Sequence, residues 1–580
     1  MTRIASDPDT FVAEALDGLA LVHPQELRRV EGGVARRSPL APGQVAVIVG
    51  GGSGHYPAFA GIVGIGMPAA AVCGNIFSSP SAGQAVRVAH AVDAGGGVLF
   101  SYGNYAGDVI HFGEAERRLR EEGLDVRTVL VTDDIASAPV ADAAQRRGIA
   151  GDLCVFRIAG AAAERGDSLD EVERLARHAN DRTRTIGVAF SGCTVPGARE
   201  PLFTVPEGMM SIGLGIHGEP GIRDVPVQGA PELARTLLEP LLAERPHGAA
   251  SRVALLVNGL GTVKYEELFV LFGHLHRELE RAGIAVTSPL CGELVTSLDM
   301  GGVSVTLLWL DDELEELWDA PAASPAFRRG AVGDARMPDD AVRPSSFAVD
   351  EVVERHDASA ASQRAADTAR GLLSLVRDVI VDQAESLGVL DAIAGDGDHG
   401  IGMSRGLEAA AAAASARPRG DGLSELLTAA GDAWSETAGG TSGALWGAAL
   451  SAFGRVADDT GAQSGEAVAA AVTAARERIV QLGGAEAGDK TMLDALLPFE
   501  AALRSAVVEG APVASALRQA ASAASAAAQE TATLRPRKGR ARPLAEKSLG
   551  HPDPGAVSFA LIVETLAEWA DEDERTEEQR

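Results

Sequence analysis

Three aspartates stand within eight residues in "DAIAGDGDHG", residues 391–400. Asp391, Asp396 and Asp398 share one glycine-rich loop, and carboxylates gathered so closely repel one another unless a cation lies among them. Asp and Gly are also ordinary residues of a solvated turn, so the loop alone leaves both readings open. Two other loops of the same half carry related chemistry. In "TAGGTSGALWG", Gly439, Gly440, Thr441, Ser442 and Gly443 lead into a helix. Free N–H groups and small hydroxyls there form an anion site, and Thr441 or Ser442 equally suits an N-cap. In "GHPDPGAV", Asp553 has the character of an N-cap and Pro554 that of a first helical residue. The preceding "RKGRARP" offers Arg540 to a polyphosphate, or else is a solvated basic loop. One nucleotide site at the end of a helical bundle accounts for all three loops. Three carboxylates would hold two Mg²⁺ ions against the β- and γ-phosphates of a nucleotide. With lysine only at 264, 490, 538 and 547, no GxxxxGK[ST] loop can be formed.

The first half carries different candidates. "GGGSGHYP", residues 50–57, follows a strand pattern but fails the dinucleotide fingerprint, because His55 stands where the last glycine belongs. Gly52, Ser53 and Gly54 still permit close approach of a hydroxylated ligand. "GNYAGD" brings Asp108 to the end of another strand pattern, and "GLGIHGEPG" places His217 in a loop of four glycines. A loop histidine is commonly unremarkable, yet a neutral imidazole beside a carboxylate can act as nucleophile or base. Nothing in the spacing brings His55, Asp108 and His217 together.

The elements that must position these residues fall into two rhythms. Up to about residue 320, "QVAVIVGGGSGH", "GGVLFSYGN", "VRTVLVTDD" and "SRVALLVNGLG" read as buried strands entering glycine-rich or acidic loops. Amphipathic stretches such as "EELFVLFGHLHRELERAG" follow some of them, which predicts an α/β architecture with ligands at the strand ends. Residues 321 to about 360 lose that rhythm to Pro, Ala, Ser and charge, and read as a linker or a long ordered crossing. Beyond them, helical spacing of Leu372, Leu375, Val376 and Val379 predicts a helix over 364–387. Seven more are expected near 401–416, 422–438, 441–458, 465–482, 490–507, 511–530 and 555–570. Ala-rich runs such as "LEAAAAAASA" suit tightly packed helices, so the second half is read as an all-α, eight-helix bundle.

Composition bounds the function. At 580 residues the chain needs more than one core. A formal net charge of −30 argues against sequence-independent nucleic-acid binding, though not against a small phosphorylated ligand. Cys73, Cys154, Cys193 and Cys291 form no CxxC pair and read as thiols of a reducing compartment. The acidic start resembles no signal peptide, and no apolar run reaches the roughly 18 residues of a membrane span. A cytoplasmic protein with no membrane partner is expected.

Taken in order, "GGGSGH", "GNYAGD", "GIHGEPG", "LVNGLG", "TSLDMGG", "DGDHG", "GGTSGALWG", "GDKTMLDALLP" and "HPDPGAV" resemble the dihydroxyacetone kinases, in their single-chain form. The likeness covers nearly the whole chain. It implies a ketose-binding α/β domain of two subdomains over 1–325, a linker over 326–360 and an all-helical nucleotide-binding domain over 361–573. It further implies that His217 attacks the substrate ketone to form a hemiaminal, that Asp108 takes the proton of the phosphorylated hydroxyl, and that His55 assists. Gly52, Ser53, Gly54, Tyr56 and Gly103 then line the ketose. Asp391, Asp396 and Asp398 bind Mg²⁺. His399, Gly400, Ile401, Gly402, Thr441, Ser442, Met492, Arg540, Asp553, Pro554 and Gly555 meet ATP. The resemblance also suggests a homodimer.

Two departures stand out. Tyr56 follows His55 where the family reads "GHEP", and Gly103 replaces a lysine common at the pocket rim. Loss of that cation leaves room and removes a donor, which favours erythrulose, D or L, over dihydroxyacetone; drift around an unchanged pocket is the alternative. A silent ketose sensor is a competing reading, disfavoured by the presence of both catalytic sets. A phosphoprotein donor and a side lyase activity on nucleotide diphosphates are others.

Overall fold

The apolar run ending in "VAVIVGG" forms the centre of a sheet. In the computed structural model, strands β1 (Leu27–Val30), β2 (Gly33–Arg36), β3 (Ala46–Ser53), β4 (Ala70–Ile76), β5 (Val98–Gly103) and β6 (Val126–Val131) lie in the order β1-β2-β4-β3-β5-β6. The four strands β4, β3, β5 and β6 run parallel, and β1–β2 is an antiparallel edge. Along β3, Ala46 and Ile48 pack on one face with Val88, Phe100 and Phe112, while Val47 and Val49 pack on the other with Phe156 and Val172. Burial on both faces is why the run reads as continuously apolar. Each such side chain taken out of water contributes roughly 1.5–3 kcal/mol.

A second sheet follows in the same unit. Strands β7 (Thr183–Ala189), β8 (Met209–Ile212), β9 (Arg223–Pro226), β10 (Arg252–Gly259), β11 (Ala285–Val286), β12 (Leu290–Gly292) and β13 (Gly302–Trp309) lie in the order β11-β10-β13-β7-β8-β9, with β12 also on β10. Helices Ala230–Ala243 and Tyr265–Arg281 cover the face that presents Val253, Leu255 and Val257. The intervening Ala254 and Leu256 join the core shared with the first sheet. The two α/β subdomains expected from sequence are therefore present, joined by a common core.

The chain divides into two compact units, Met1–Arg343 and Pro344–Arg580. The structure describes residues 4, 7–8, 10–198, 200–332, 358–395, 397–438, 440–460, 464–538 and 545–578. Most of the expected linker, residues 333–357, lies outside these. Its first residues differ from the expectation: Arg328–Arg329 pairs antiparallel with Ala322–Ala323 and Phe327 is buried, so the first unit's fold continues past residue 325.

In the second unit the helix expected over 364–387 is two, Ala360–Asp382 and Ala384–Asp391, separated at Gln383, whose backbone leaves the helical region. Helices His399–Ala416, Leu423–Ala438, Gly440–Thr460, Gly465–Gly483, Leu493–Val508, Val513–Glu530 and Pro554–Glu578 match the other seven, with a short turn of helix at Ala545–Ser548. Among the described residues this unit has no strand. Ala410, Ala414, Ala430, Ala520 and Ala524 are buried beside Leu407, Trp434, Phe499 and Phe559. Small side chains here allow close helix approach while keeping high helix propensity.

Candidate active site

Strand β3 delivers the first site residues from its carboxyl end. Gly54 has φ +106°, a conformation that favours glycine, and a Cβ there would lie 2.8 Å from the Phe77 ring. That turn carries His55 inward, where it is 3% exposed. The second subdomain clamps it: Thr296 N donates to His55 O at 3.2 Å, and Leu298 N donates to Gly54 O at 2.9 Å. Ser53 Oγ donates to Gly74 O at 2.7 Å. Asp108 lies in the first turn of helix Ala106–Glu121, directly after β5. His217 projects from the loop that follows β8.

The structure brings the two histidines together, with Asp108 near enough to His217 to feel its charge. His55 Nε2 and His217 Nε2 are 3.0 Å apart. His55 Nδ1 is 2.8 Å from Thr296 O, and His217 Nδ1 is 3.1 Å from Glu219 Oε1. Glu219 Oε2 also accepts from His217 N at 3.0 Å. Phe77 stacks on His55 and meets His217 edge-on, each at a centroid distance of 5.0 Å, while Tyr105 meets His217 edge-on at 5.0 Å. Behind Glu219, Arg147 lies 3.6 Å from Oε2 and donates twice to Asp134.

Burial sets the charges. It pushes the His55 imidazole down to about 3, with His217 adding to the effect. It pushes the Asp108 carboxyl up to about 7, against the pull of Ser79 and His217. Asp108 Oδ1 is buried with no hydrogen-bond partner among the described residues. Burial opposes ionisation of Glu219 too, but the hydrogen bond and charge of His217, with Arg147, outweigh it and carry that carboxyl down to about 2.

Tyr56 is half exposed, and its carbonyl accepts from Thr296 Oγ1 at 2.8 Å. Gly103 is buried at the end of β5, and a Cβ there would meet Gly148 O at 3.1 Å, Tyr105 Cε2 at 3.2 Å and Asp152 Oδ2 at 3.4 Å. Asp152 is itself buried, with Oδ1 unpartnered among the described residues.

In the second unit Asp391 ends its helix, and its Oδ2 accepts from Gly397 N at 2.9 Å. Asp398 opens the next helix; burial and the charge of Asp391 push its carboxyl up, which is the repulsion a divalent cation relieves. Among the described residues no group of three metal-ligating side chains is gathered. Asp396, the loop's third aspartate, and Arg540 lie outside the described residues. His399 Nε2 is 3.0 Å from Ser558 Oγ on the final helix. Asp553 caps that helix by accepting from Ala556 N at 2.8 Å, with Pro554 its first residue. A Cβ on Gly555 would lie 3.6 Å from Met492. Gly400 packs on Ala384 and Ile401 is exposed; Gly402 approaches Ala438, just before exposed Thr441 and Ser442. Thus the aspartate loop, Met492 and the final helix start share one end of the bundle, with the 440 region beside them.

Sequence reasoning missed four participants. Glu219 was visible in "GIHGEPG", two residues from His217, but its role was not read. Phe77 and Thr296 come from distant segments and carry no motif. Lys490 is 3% exposed and donates from Nζ to Leu534 O at 3.2 Å, Ser548 O at 2.7 Å and His551 O at 2.9 Å. Those contacts brace the loop that leads to Asp553.

Residues 17–326 match the Dak1 domain and residues 393–568 the DAK2 domain. The chain belongs to the dihydroxyacetone kinase family. It is 51% identical to the L-erythrulose kinase of Pectobacterium atrosepticum, over 98% of this chain and 96% of that one. It is 49% identical to the D-erythrulose kinase of Mycolicibacterium smegmatis, over 98% of each. The crystal structure of the dihydroxyacetone kinase from C. freundii in complex with AMP-PNP and Mg²⁺ is 31% identical, with a TM-score of 0.53 over 98% of this chain and 99% of that one. As a member of this family, the chain is a ketose kinase with an alcohol acceptor.

Proposed function

We propose that this kinase uses ATP to phosphorylate a terminal hydroxyl of erythrulose while His217 holds the ketose as a covalent hemiaminal. The observation that carries the reading is the 3.0 Å approach of His217 to His55 among glycine-lined strand ends, with buried Asp108 electrostatically coupled to His217. His217 turns Nδ1 to Glu219, so Nε2 is the atom that attacks the ketone carbon. A polyol such as glycerol has no carbonyl to capture, and selection is thereby made at a bond that only ketoses and aldoses can form. Gly52, Ser53 and Gly54 approach the substrate oxygens, with Tyr56 and Gly103 shaping the pocket.

Asp108 then takes the proton of the terminal hydroxyl. The hydroxyl oxygen bonds to the γ-phosphorus of ATP as the bond from phosphorus to ADP breaks. A carboxyl near 7 suits this role, because it is substantially ionised at neutral pH yet remains a useful base. ATP binds the second unit through His399–Gly402, Thr441, Ser442, Met492, Arg540 and Asp553–Gly555. Asp391, Asp396 and Asp398 would hold Mg²⁺, and three carboxylates suffice for two ions. Bound Mg²⁺ neutralises charge on the β- and γ-phosphates.

Relatives named for L- and D-erythrulose support a four-carbon ketose over dihydroxyacetone. The presence of both site sets disfavours a silent sensor. Four free cysteines support a reducing, cytoplasmic setting, and no helix among the described residues is long and apolar enough to cross a membrane. The resemblance supports a homodimer, which light scattering tests.

The deciding assay follows ADP release from Mg·ATP with L-erythrulose, D-erythrulose, dihydroxyacetone, D-glyceraldehyde and glycerol, beside His217→Ala. Fast turnover of one erythrulose enantiomer, lost in the variant, is expected. A strong preference for dihydroxyacetone overturns the substrate assignment.

A further inference from the structure

We propose that Asp152 is a specificity-determining residue of the ketose site, its buried carboxyl accepting the hydrogen of the one hydroxyl that erythrulose carries beyond dihydroxyacetone. The proposal rests on the reading of erythrulose as substrate. Asp152 is the first residue of helix Asp152–Arg165. It is 4% exposed, and its Oδ1 has no hydrogen-bond partner among the described residues. A carboxyl oxygen buried in that state is costly, and it calls for a partner that the chain does not supply.

The fold withholds the usual partners. The N–H groups of Ile149 and Gly151, just ahead of the same helix, donate to Asp133 at 2.9 and 2.8 Å. Arg147, on the loop before them, donates twice to Asp134 and lies 3.6 Å from Glu219. Gly103, where a lysine is common in the family, brings no ammonium to the carboxyl. Burial pushes the Asp152 carboxyl up, and Asp133 and Asp108 add to the effect. The same neighbours repel an anion, and among the described residues no group of three metal-ligating side chains is gathered. A neutral hydroxyl is the ligand that suits this surrounding.

Asp152 borders the ketose site. Its Oδ2 lies 3.4 Å from where a Cβ on Gly103 would stand, and Tyr105 Cε2 lies 3.2 Å from the same point. The Tyr105 ring in turn meets His217 edge-on at 5.0 Å, and its hydroxyl is also buried and unpartnered among the described residues. Asp108 is near enough for its charge to act on Asp152. With the ketone carbon on His217 and the reacting hydroxyl on Asp108, the longer ketose has one hydroxyl more to satisfy. Asp152 is the carboxyl that has no partner of its own.

The test compares kcat/KM for L-erythrulose, D-erythrulose and dihydroxyacetone with Mg·ATP in the wild type, Asp152→Ala and Asp152→Leu. Both variants should lose about thirtyfold of the preference for erythrulose, the scale of one hydrogen bond to a carboxyl, while dihydroxyacetone loses no more than about threefold. Ala widens the pocket and Leu fills it. A loss of preference in Asp152→Leu alone would therefore mean that size selects the ketose, and it overturns the proposal. Equal losses on all three ketoses, or an unchanged preference in both variants, overturn it as well. Asp152→Leu replaces an unpaired buried carboxyl with an apolar group, so its unfolding midpoint should match or exceed that of the wild type. A wild type that itself favours dihydroxyacetone defeats the substrate reading, a result separate from any change in the variants.

Discussion

His399 and Ser558 meet at 3.0 Å through Nε2 and Oγ although 159 residues separate them, tying the aspartate loop to the start of the final helix. Ser558 also donates to Gly555 O at 3.0 Å, so one hydroxyl links two segments of the proposed nucleotide site. Ser558→Ala should raise KM for ATP about fivefold, the equivalent of one hydrogen bond worth about 1 kcal/mol. The ketose KM should be unchanged. Initial-rate kinetics with each substrate varied would check it, and equal effects on both constants would contradict the placement.

Lys490 presents the same region with a larger effect. Its ammonium satisfies three backbone carbonyls beneath Asp553. Lys490→Met leaves those acceptors unpaired and should destabilise the helical unit by about 3 kcal/mol. Urea unfolding measures that loss, and Lys490→Arg should recover part of it. Nucleotide affinity should fall more than tenfold, while ketose capture on His217 persists.

The pH dependence has a definite sign. Burial raises the Asp108 carboxyl to about 7, so the base is protonated and silent below that pH. Turnover should fall about tenfold per unit below pH 7 and level off above it. Asp108→Asn should cost about 10³-fold in kcat at all pH values and abolish the inflection. A wild-type rate independent of pH between 5 and 8 would show that Asp108 is not the base.

Gly103→Lys tests the pocket. The new side chain would start 3.4 Å from Asp152 Oδ2, with a buried carboxyl to receive its ammonium. Narrowing this wall should raise the preference for dihydroxyacetone over erythrulose by about tenfold, the scale of one missing contact in a shaped pocket. Competition assays with both ketoses give the ratio directly.

Chelation separates the two units. EDTA should remove all phosphoryl transfer, since Asp391 and Asp398 repel without a cation. It should leave the His217 adduct intact, and added Mg²⁺ should restore turnover. Loss of the adduct on chelation would contradict the assignment of metal to the aspartate loop.

Much of this was legible in the sequence where chemistry and local geometry coincide. His55, Asp108 and His217 follow strand ends or lie in glycine-rich loops, each with a glycine directly beside it. The helices were legible because alanine and apolar spacing repeat along them. Their one clear misreading, over 364–387, arose because the apolar pattern continues smoothly through the break at Gln383. Of the second sheet only β10 was read: β8, β9, β11 and β12 carry too few residues to show a period, and β7 and β13, though longer, end in no motif that singled them out. Glu219, Thr296 and Phe77 act through tertiary contacts, which no local pattern encodes. Lys490 read as one of four scattered lysines; only the fold reveals that three carbonyls surround it. The room expected at Gly103 from the absence of the family's lysine is limited by Gly148 O and the side chains of Tyr105 and Asp152, which come from other segments or only meet it in the fold.

The most direct measurement is ¹³C NMR of the enzyme with erythrulose labelled at the carbonyl carbon, in the absence of ATP. The account predicts that the bound carbonyl signal is replaced by that of a tetrahedral carbon, and that His217→Ala retains the carbonyl. A bound ketose that keeps its carbonyl signal in the wild type would contradict covalent capture.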